Sequence, residues 1–300
     1  MRLLVLLTAI LFAPMASAMT VLVTVEPLAK LVRGLYGDAV TVQTLLQPNQ
    51  NPHHLALSSS QLLALRRADQ LIWLGADAEP ALAGLVQRHQ PRAIALLSQD
   101  GITTHYSDHA HEHDGDDDHG GHHHVSDHSG AYLDPHLWLS SNNLARLAQA
   151  IATRHPDELL TGQPTSLIDD LQAWSSRWQT RFAEQDRQRW LTYHDPWRYF
   201  YAEMGIAAPL TVTAQLDAGP GSREFVQLVR TARERNIRCA LVEPEARQSM
   251  VRRVCPDCQV VLLDPIGRDR TDATLVDWLD ELAASFYDCF DGQADTVVGQ

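Results

Sequence analysis

Short β-branched apolar runs alternate with helix-spaced runs along most of this 300-residue chain. That alternation is the signature of an α/β layer built on a parallel sheet. Residues 20–25 (Thr-Val-Leu-Val-Thr-Val) are apolar and β-branched, as a buried strand requires. Pro27 then opens a helical stretch at 28–36, which Gly37 closes. Strand spacing returns at 40–46, 70–74 and 93–97, with helical runs at 58–68 and 78–87 between them. A second alternation begins with a strand at 189–193. Helices at 197–204, 222–235, 246–254 and 274–290 follow, with strands at 239–242 and 260–263 among them. Two such patterns predict an α/β fold of two (β/α) lobes, each with a mainly parallel sheet, and a ligand cleft between them.

An interruption and a long helix separate the two patterns. Segment 101–130 holds nine His, six Asp and one Glu, with Gly interspersed and almost nothing to bury. It cannot offset its ordering entropy and is expected to be disordered without metal. A helix at 142–153 carries Leu144, Leu147, Ala148 and Ile151 on one face. Segment 166–188 then reads as one long helix, with Pro164 near its start and no Gly or Pro inside. Its apolar stripe is Leu167, Leu171, Trp174, Trp178 and Phe182; the spacing fits a connector between lobes and an ordinary core helix equally well. The expected organisation is a leader at 1–18, an N-terminal lobe at 19–163 that includes loop 101–130, a connecting helix at 164–188 and a C-terminal lobe at 189–300.

The leader reads as a cleaved export signal. Met1-Arg2 supplies positive charge, residues 3–12 are almost wholly apolar, and Ala16-Ser17-Ala18 is a small-residue cleavage site. A run of about ten apolar residues is too short to anchor a protein across a bilayer. Export places Cys239, Cys255, Cys258 and Cys289 in an oxidising compartment, where structural disulfides are expected. Four cysteines allow three pairings, and spacing does not choose among them. Cys255-Pro-Asp-Cys258 has redox-motif spacing, but no thioredoxin-like order of elements surrounds it. Asp plus Glu (37) exceed Lys plus Arg (24), and a formal charge of −13 argues against a nucleic-acid partner.

The chemistry points to metal. Outside the rich loop, His53 follows the second strand in Asn51-Pro52-His53-His54, His136 lies in Asp134-Pro135-His136-Leu137-Trp138-Leu139, and His194 follows a strand in Tyr193-His194-Asp195. Ligands of open α/β sheets bind beyond the carboxyl ends of strands. Three imidazoles suit zinc, with copper and nickel as competitors. Asp264, in Leu263-Asp264-Pro265-Ile266-Gly267, is a candidate fourth ligand or a turn carboxylate. Within the loop, His105, His109, His111, His113, His119, His122, His123, His124 and His128 offer auxiliary, weaker donors. Because imidazole binds metal only when unprotonated, affinity is expected to fall below about pH 6. Three His with a carboxylate could also form a hydrolytic zinc site. The chain lacks a His-Glu-x-x-His segment, and no sequence neighbour of the three His is an obvious general base; Glu243 and Asp195 are the nearest candidates, and both read more easily as structural. A freestanding zinc buffer is the third reading.

Taken together these segments resemble the metal-binding solute-binding proteins of ABC importers, in their zinc-binding, ZnuA-like branch. The resemblance runs from about Val21 to Asp291. It is carried by the Pro52-His53 loop, the acidic His-rich insertion, Asp134 to Leu139, Tyr193-His194-Asp195 with Tyr199-Phe200, Val242-Glu243-Pro244-Glu245 and Leu263 to Gly267. It implies two lobes bridged by one long helix and a Zn²⁺ ion held between lobes that move little. It also implies His53, His136 and His194 as ligands, with a carboxylate (Asp264) or water in the fourth position. The manganese-binding branch places Glu where His194 stands, so His194 favours zinc. The resemblance further implies a Cys239–Cys289 disulfide, which leaves Cys255 to pair with Cys258. High-affinity zinc capture in the periplasm, delivery to a membrane permease and a monomeric, non-enzymatic protein are the expectations that follow. Pro52 departs from relatives that carry Glu before the first His, so no carboxylate at that position can complete the site.

Overall fold

The computed structural model describes residues 19–48, 50, 56–107, 132–154, 164–185 and 188–291. The leader at 1–18, the loop carrying His53 and His54, and His109 to His128 lie outside the described residues. The N-terminal lobe opens with β1 (Met19–Val23), α1 (Glu26–Tyr36), β2 (Val40–Thr44), α2 (Ser59–Arg67), β3 (Gln70–Trp73), α3 (Pro80–His89) and β4 (Ile94–Ala95). A short hairpin of β5 (Tyr106–Ser107) and β6 (Tyr132–Leu133) precedes α4 (Ser141–Arg154), and α5 (Pro164–Ala183) leads out of the lobe. The C-terminal lobe comprises β7 (Trp190–Thr192), α6 (Arg198–Met204), β8 (Leu210–Thr211), α7 (Ser222–Glu234), β9 (Cys239–Val242), α8 (Gln248–Val254), β10 (Gln259–Leu262) and α9 (Leu275–Asp291).

Each lobe carries a four-stranded, wholly parallel sheet. The orders are β2-β1-β3-β4 and β8-β7-β9-β10, so both lobes place their second strand outside the first and their third on its other side. In that order the chain's progression across the sheet reverses between the first and third strands, the point at which parallel sheets of this kind bind ligands beyond their carboxyl ends. Local chemistry sets the boundaries. Ser58 and Gln61 form a reciprocal capping box at the start of α2. Gly205 closes α6 in the left-handed conformation, φ 70°, which a side chain would oppose.

Packing explains how α5 works. Leu171, Trp174, Trp178 and Phe182 are buried, and their rings meet Phe200 of α6 and Tyr287 and Phe290 of α9. One continuous core therefore runs from β1 and α1 through α4 and α5 to α6 and α9. α5 is thus part of that shared core. Two smaller clusters cover the outer faces, Leu22, Leu65, Leu71 and Leu82 in one lobe and Leu191, Val212, Val251 and Val254 in the other. A shared core opposes wide opening of the lobes, because separating them would expose large aromatic side chains.

Three sequence expectations need correction. The helix expected through 188 ends at Ala183, where Glu184 begins a turn. The segment expected to be disordered from 101 is ordered as far as Ser107: Asn143 exchanges hydrogen bonds with the backbone of Thr103, and Tyr199 Oη accepts from the His105 amide. His105 packs its ring against Tyr199 at 4.7 Å, so it belongs to the hairpin stem rather than to the loop. The alternation also lacked β8, whose two residues carry no readable period. Disulfides join Cys239 to Cys289 and Cys255 to Cys258. Among the described residues, no helix is long and apolar enough to cross a membrane.

Candidate metal centre

His136 sits in a built turn. Its backbone amide and its Nδ1 both reach Asp134 Oδ1, at 3.0 and 2.7 Å. A carboxylate only accepts, so Nδ1 carries the proton in this contact. Tyr199 Oη donates to the Asp134 carbonyl, 2.9 Å, and so ties this turn to α6. Trp138 stacks edge-on to His136 and donates its indole N–H to the Pro265 carbonyl at 2.7 Å, reaching into the other lobe. His136 is 3% exposed.

His194 arrives from the C-terminal lobe, two residues past β7. Its ring centroid lies 5.6 Å from that of His136. Glu243, the first residue after β9, places Oε1 3.7 Å from His194 Nδ1. That spacing is too long for a hydrogen bond but close enough to favour a cation there. Burial drives the Glu243 carboxyl up to about 8, backbone amides offset this in part, and Glu245 and Asp195 push it up further. Asp195 is raised to about 6, again mainly by burial; it accepts from the Trp197 amide and from Tyr201 Oη. Burial thus keeps both carboxyls from ionising readily near the two imidazoles.

His136, His194, Glu243, Glu245 and Arg268 line a cavity of about 10 Å³, with Leu216, Pro265 and Ile266 as apolar walls. That is the room one water-sized occupant needs. Asp264 is near but committed. Its Oδ2 accepts from the Arg268 amide at 2.7 Å and from Arg268 Nε at 3.0 Å, and its Oδ1 from Arg268 Nη2 at 3.0 Å and the Ile266 amide at 3.2 Å. Arg268 also pairs with Glu245 at 2.6 Å. Burial alone would lower the guanidinium's pKa; the two carboxylates raise it instead. Gly267 makes the turn possible: it has φ 66°, and a Cβ there would stand 2.6 Å from the Trp278 indole.

Of the sequence candidates, His136 and His194 come together, Asp264 stands behind Arg268, and His53 lies outside the described residues. Among the described residues no three potential ligands form a ready set. Arg268 and the Asp134 clamp were not anticipated. Asp134-Pro-His is a readable turn signal, and Arg268 stands four residues after Asp264.

Comparison with known proteins accords with this geometry. The family described as "Zinc-uptake complex component A periplasmic", ZnuA, matches residues 21–289. The chain belongs to the ZnuA family. The high-affinity zinc uptake system protein ZnuA of Yersinia pestis is 24% identical over 298 residues, covering 92% of each chain. A crystal structure of ZnuA superposes with a TM-score of 0.74 at 20% identity, covering 91% of this chain and all of that one. A zinc-bound ZnuA variant lacking its residues 138–173 gives 0.73 at 20% identity, covering 91% of this chain and 98% of that one. At that identity the ZnuA structures speak for the two-lobed α/β fold.

Proposed function

We propose that this chain captures Zn²⁺ in the periplasm and delivers it to the membrane permease of an ABC importer, as a non-enzymatic, monomeric carrier exported by the signal at 1–18. The observation that carries this reading is the meeting of His136 and His194, one from each lobe, at a cavity with room for an ion. His53, His136 and His194 supply three neutral imidazoles, the donor set zinc prefers. Water takes the fourth position, because both oxygens of Asp264 are engaged by Arg268 and backbone amides. Asp134 orients His136, and Glu243 gains favourable charge contact with His194 once an ion is bound. The shared core keeps the lobes close to one arrangement, which suits holding one ion tightly. Loop histidines His109 to His128 add weak sites that raise local zinc concentration.

Calorimetry tests the reading on a chain lacking residues 108–128. His53→Ala, His136→Ala and His194→Ala are each expected to weaken one-to-one zinc binding by about a hundredfold or more. Loss of tight binding on deleting the loop alone would make the loop the site, and the importer reading would fall.

A further inference from the structure

The side chain that most shapes the cavity is a cation. Arg268 is nearly buried, its side chain 10% exposed. Nε and Nη2 fork onto the two oxygens of Asp264, Nη1 reaches Glu245 Oε1 at 2.6 Å, and Nη1 also stands 3.4 Å from the Gln50 carbonyl of the other lobe. With the Ile266 and Arg268 amides added, Asp264 accepts four hydrogen bonds, the full capacity of a carboxylate. Arg268 lines the cavity together with both histidines. An arginine does not shed its proton, and a bidentate charged pair held away from water does not part readily.

Those facts bear on which ion the site accepts. Manganese, magnesium and calcium rely on oxygen donors, and manganese sits at the weak end of the divalent series for nitrogen sites. Zinc, by contrast, is well held by imidazole alone with a water. We propose that Arg268 is a specificity-determining residue: by occupying both oxygens of Asp264 and Oε1 of Glu245 it withholds those oxygen donors from the ion, so that Glu243 is the carboxyl still facing the cavity and the balance shifts toward an imidazole-seeking cation. The proposal rests on the zinc-carrier reading above and names what sets its selectivity. It also assigns Asp264 a role as the anchor of Arg268.

The test compares the full chain with Arg268→Met, Asp264→Asn and the double variant. Zn²⁺ and Mn²⁺ affinities are measured by competition with a chromophoric chelator, and Co²⁺ is added as a visible-absorption probe of coordination number. Arg268→Met is expected to raise manganese affinity relative to zinc by about tenfold or more and to weaken the intense four-coordinate cobalt band, because freed carboxylate joins the ion. Adding Asp264→Asn to it is expected to reverse part of both changes, the remainder belonging to the released Glu245. Asp264→Asn alone is expected to keep the four-coordinate cobalt band, because the altered side chain does not touch the ion, while narrowing the zinc-to-manganese ratio only as far as the loosened Arg268 releases Glu245. A tenfold or larger loss of zinc affinity in Asp264→Asn would show that Asp264 ligates despite Arg268 and would overturn the proposal. So would an unchanged zinc-to-manganese ratio in a folded Arg268→Met. Should Arg268→Met fail to fold, Arg268→Gln, which removes the charge but keeps a donor toward Asp264, takes its place, and an unchanged zinc-to-manganese ratio in it overturns the proposal. His136→Ala in the same assay separates the two levels: tight zinc binding that survives it sinks the carrier reading itself, whatever Arg268 does.

Discussion

The two lobes share a strand order and differ in what they hang on it. In both, the second, first, third and fourth strands lie in that sequence across the sheet. In the C-terminal lobe the strand ends carry His194 and Asp195 after β7, Glu243 and Glu245 after β9, and Asp264 and Arg268 after β10. In the N-terminal lobe the carboxylates Glu26, after β1, and Glu79, beyond β3, are engaged by Thr44 and Arg33 and by the Leu74 amide, and the ligand candidate His136 comes from a hairpin placed after the sheet. The same architecture thus supplies a carboxylate-rich wall on one side and an oriented imidazole on the other. Selectivity is a property of the loops, and the sheets only bring them together.

The lobes are also held differently. Both disulfides belong to the C-terminal lobe, whose strands run only two to four residues. Cys239 and Cys289 enclose a separation of 50 residues and tie β9 to α9, whereas Cys255 and Cys258 are three apart. Loop-closure entropy therefore predicts that replacing the long bridge by Ala pairs costs about 4 kcal/mol and replacing the short one about 2 kcal/mol. Urea unfolding of the two double variants checks this. Equal losses would mean that packing of the buried sulfurs, and not the constraint on the unfolded chain, accounts for both bridges.

Between the lobes stands Glu203, in α6. It accepts from Ser140, from Ser141 and from the Ser175 hydroxyl of α5, at 2.7 Å for Ser140 and 2.9 Å for Ser175. Those serines come from the start of α4 and from α5, so one carboxylate joins three helices and both lobes. Glu203→Ala strands three hydroxyls and is expected to cost about 2–3 kcal/mol, with Glu203→Gln recovering part of that loss. Thermal unfolding with and without zinc sharpens the comparison. If Glu203→Ala unfolds the two lobes in separate transitions, the shared aromatic core is not sufficient by itself to couple them. A single transition at lower temperature is the expected result.

Much of this architecture was legible because it rests on long periodic signals. The buried strands around Val21 and Leu241, the closing Gly205 and the stripe from Leu171 to Phe182 all declare themselves within one element. Strand order does not, since alternation implies a parallel sheet but any of several orders satisfies it. β8 escaped because two residues hold no period, and the hairpin because its strands flank a segment with almost nothing to bury. At the site, His136 and His194 were legible as histidines in Pro-stiffened or strand-end positions. Arg268 was not, because which carboxylate a guanidinium chooses depends on a turn at Gly267 and on a second partner, Glu245, far away in sequence. Glu203 gave no signal either: its three hydroxyl donors converge only once α4, α5 and α6 are packed.

The smallest expected effect returns to the paired strand ends. Glu79 directs Oε2 to the amide of Leu74, the first residue after β3, 2.8 Å away. Leu74 holds the place in its lobe that Glu243 holds after β9, so each lobe puts a carboxyl at the end of its third strand. Burial raises the Glu79 carboxyl from its ordinary 4.5 to about 7, against the lowering pull of the Leu74 amide. Between those two values the folded state keeps a proton that the unfolded chain has released. The carboxyl therefore contributes stability below pH 4.5 that fades as the pH rises and is gone above about 7. Glu79→Gln keeps an oxygen to accept from Leu74 and removes the ionisation. The variant is expected to match the parent near pH 4 and to exceed it by about 1 kcal/mol at pH 8, after allowance for partial exposure to solvent. Urea midpoints of both proteins at half-unit steps from pH 4 to 8 measure this as a difference, which cancels every other titrating group. A difference that stays flat across that range would mean the carboxyl ionises as freely in the fold as in water, and that the likeness between the two strand ends stops at backbone geometry.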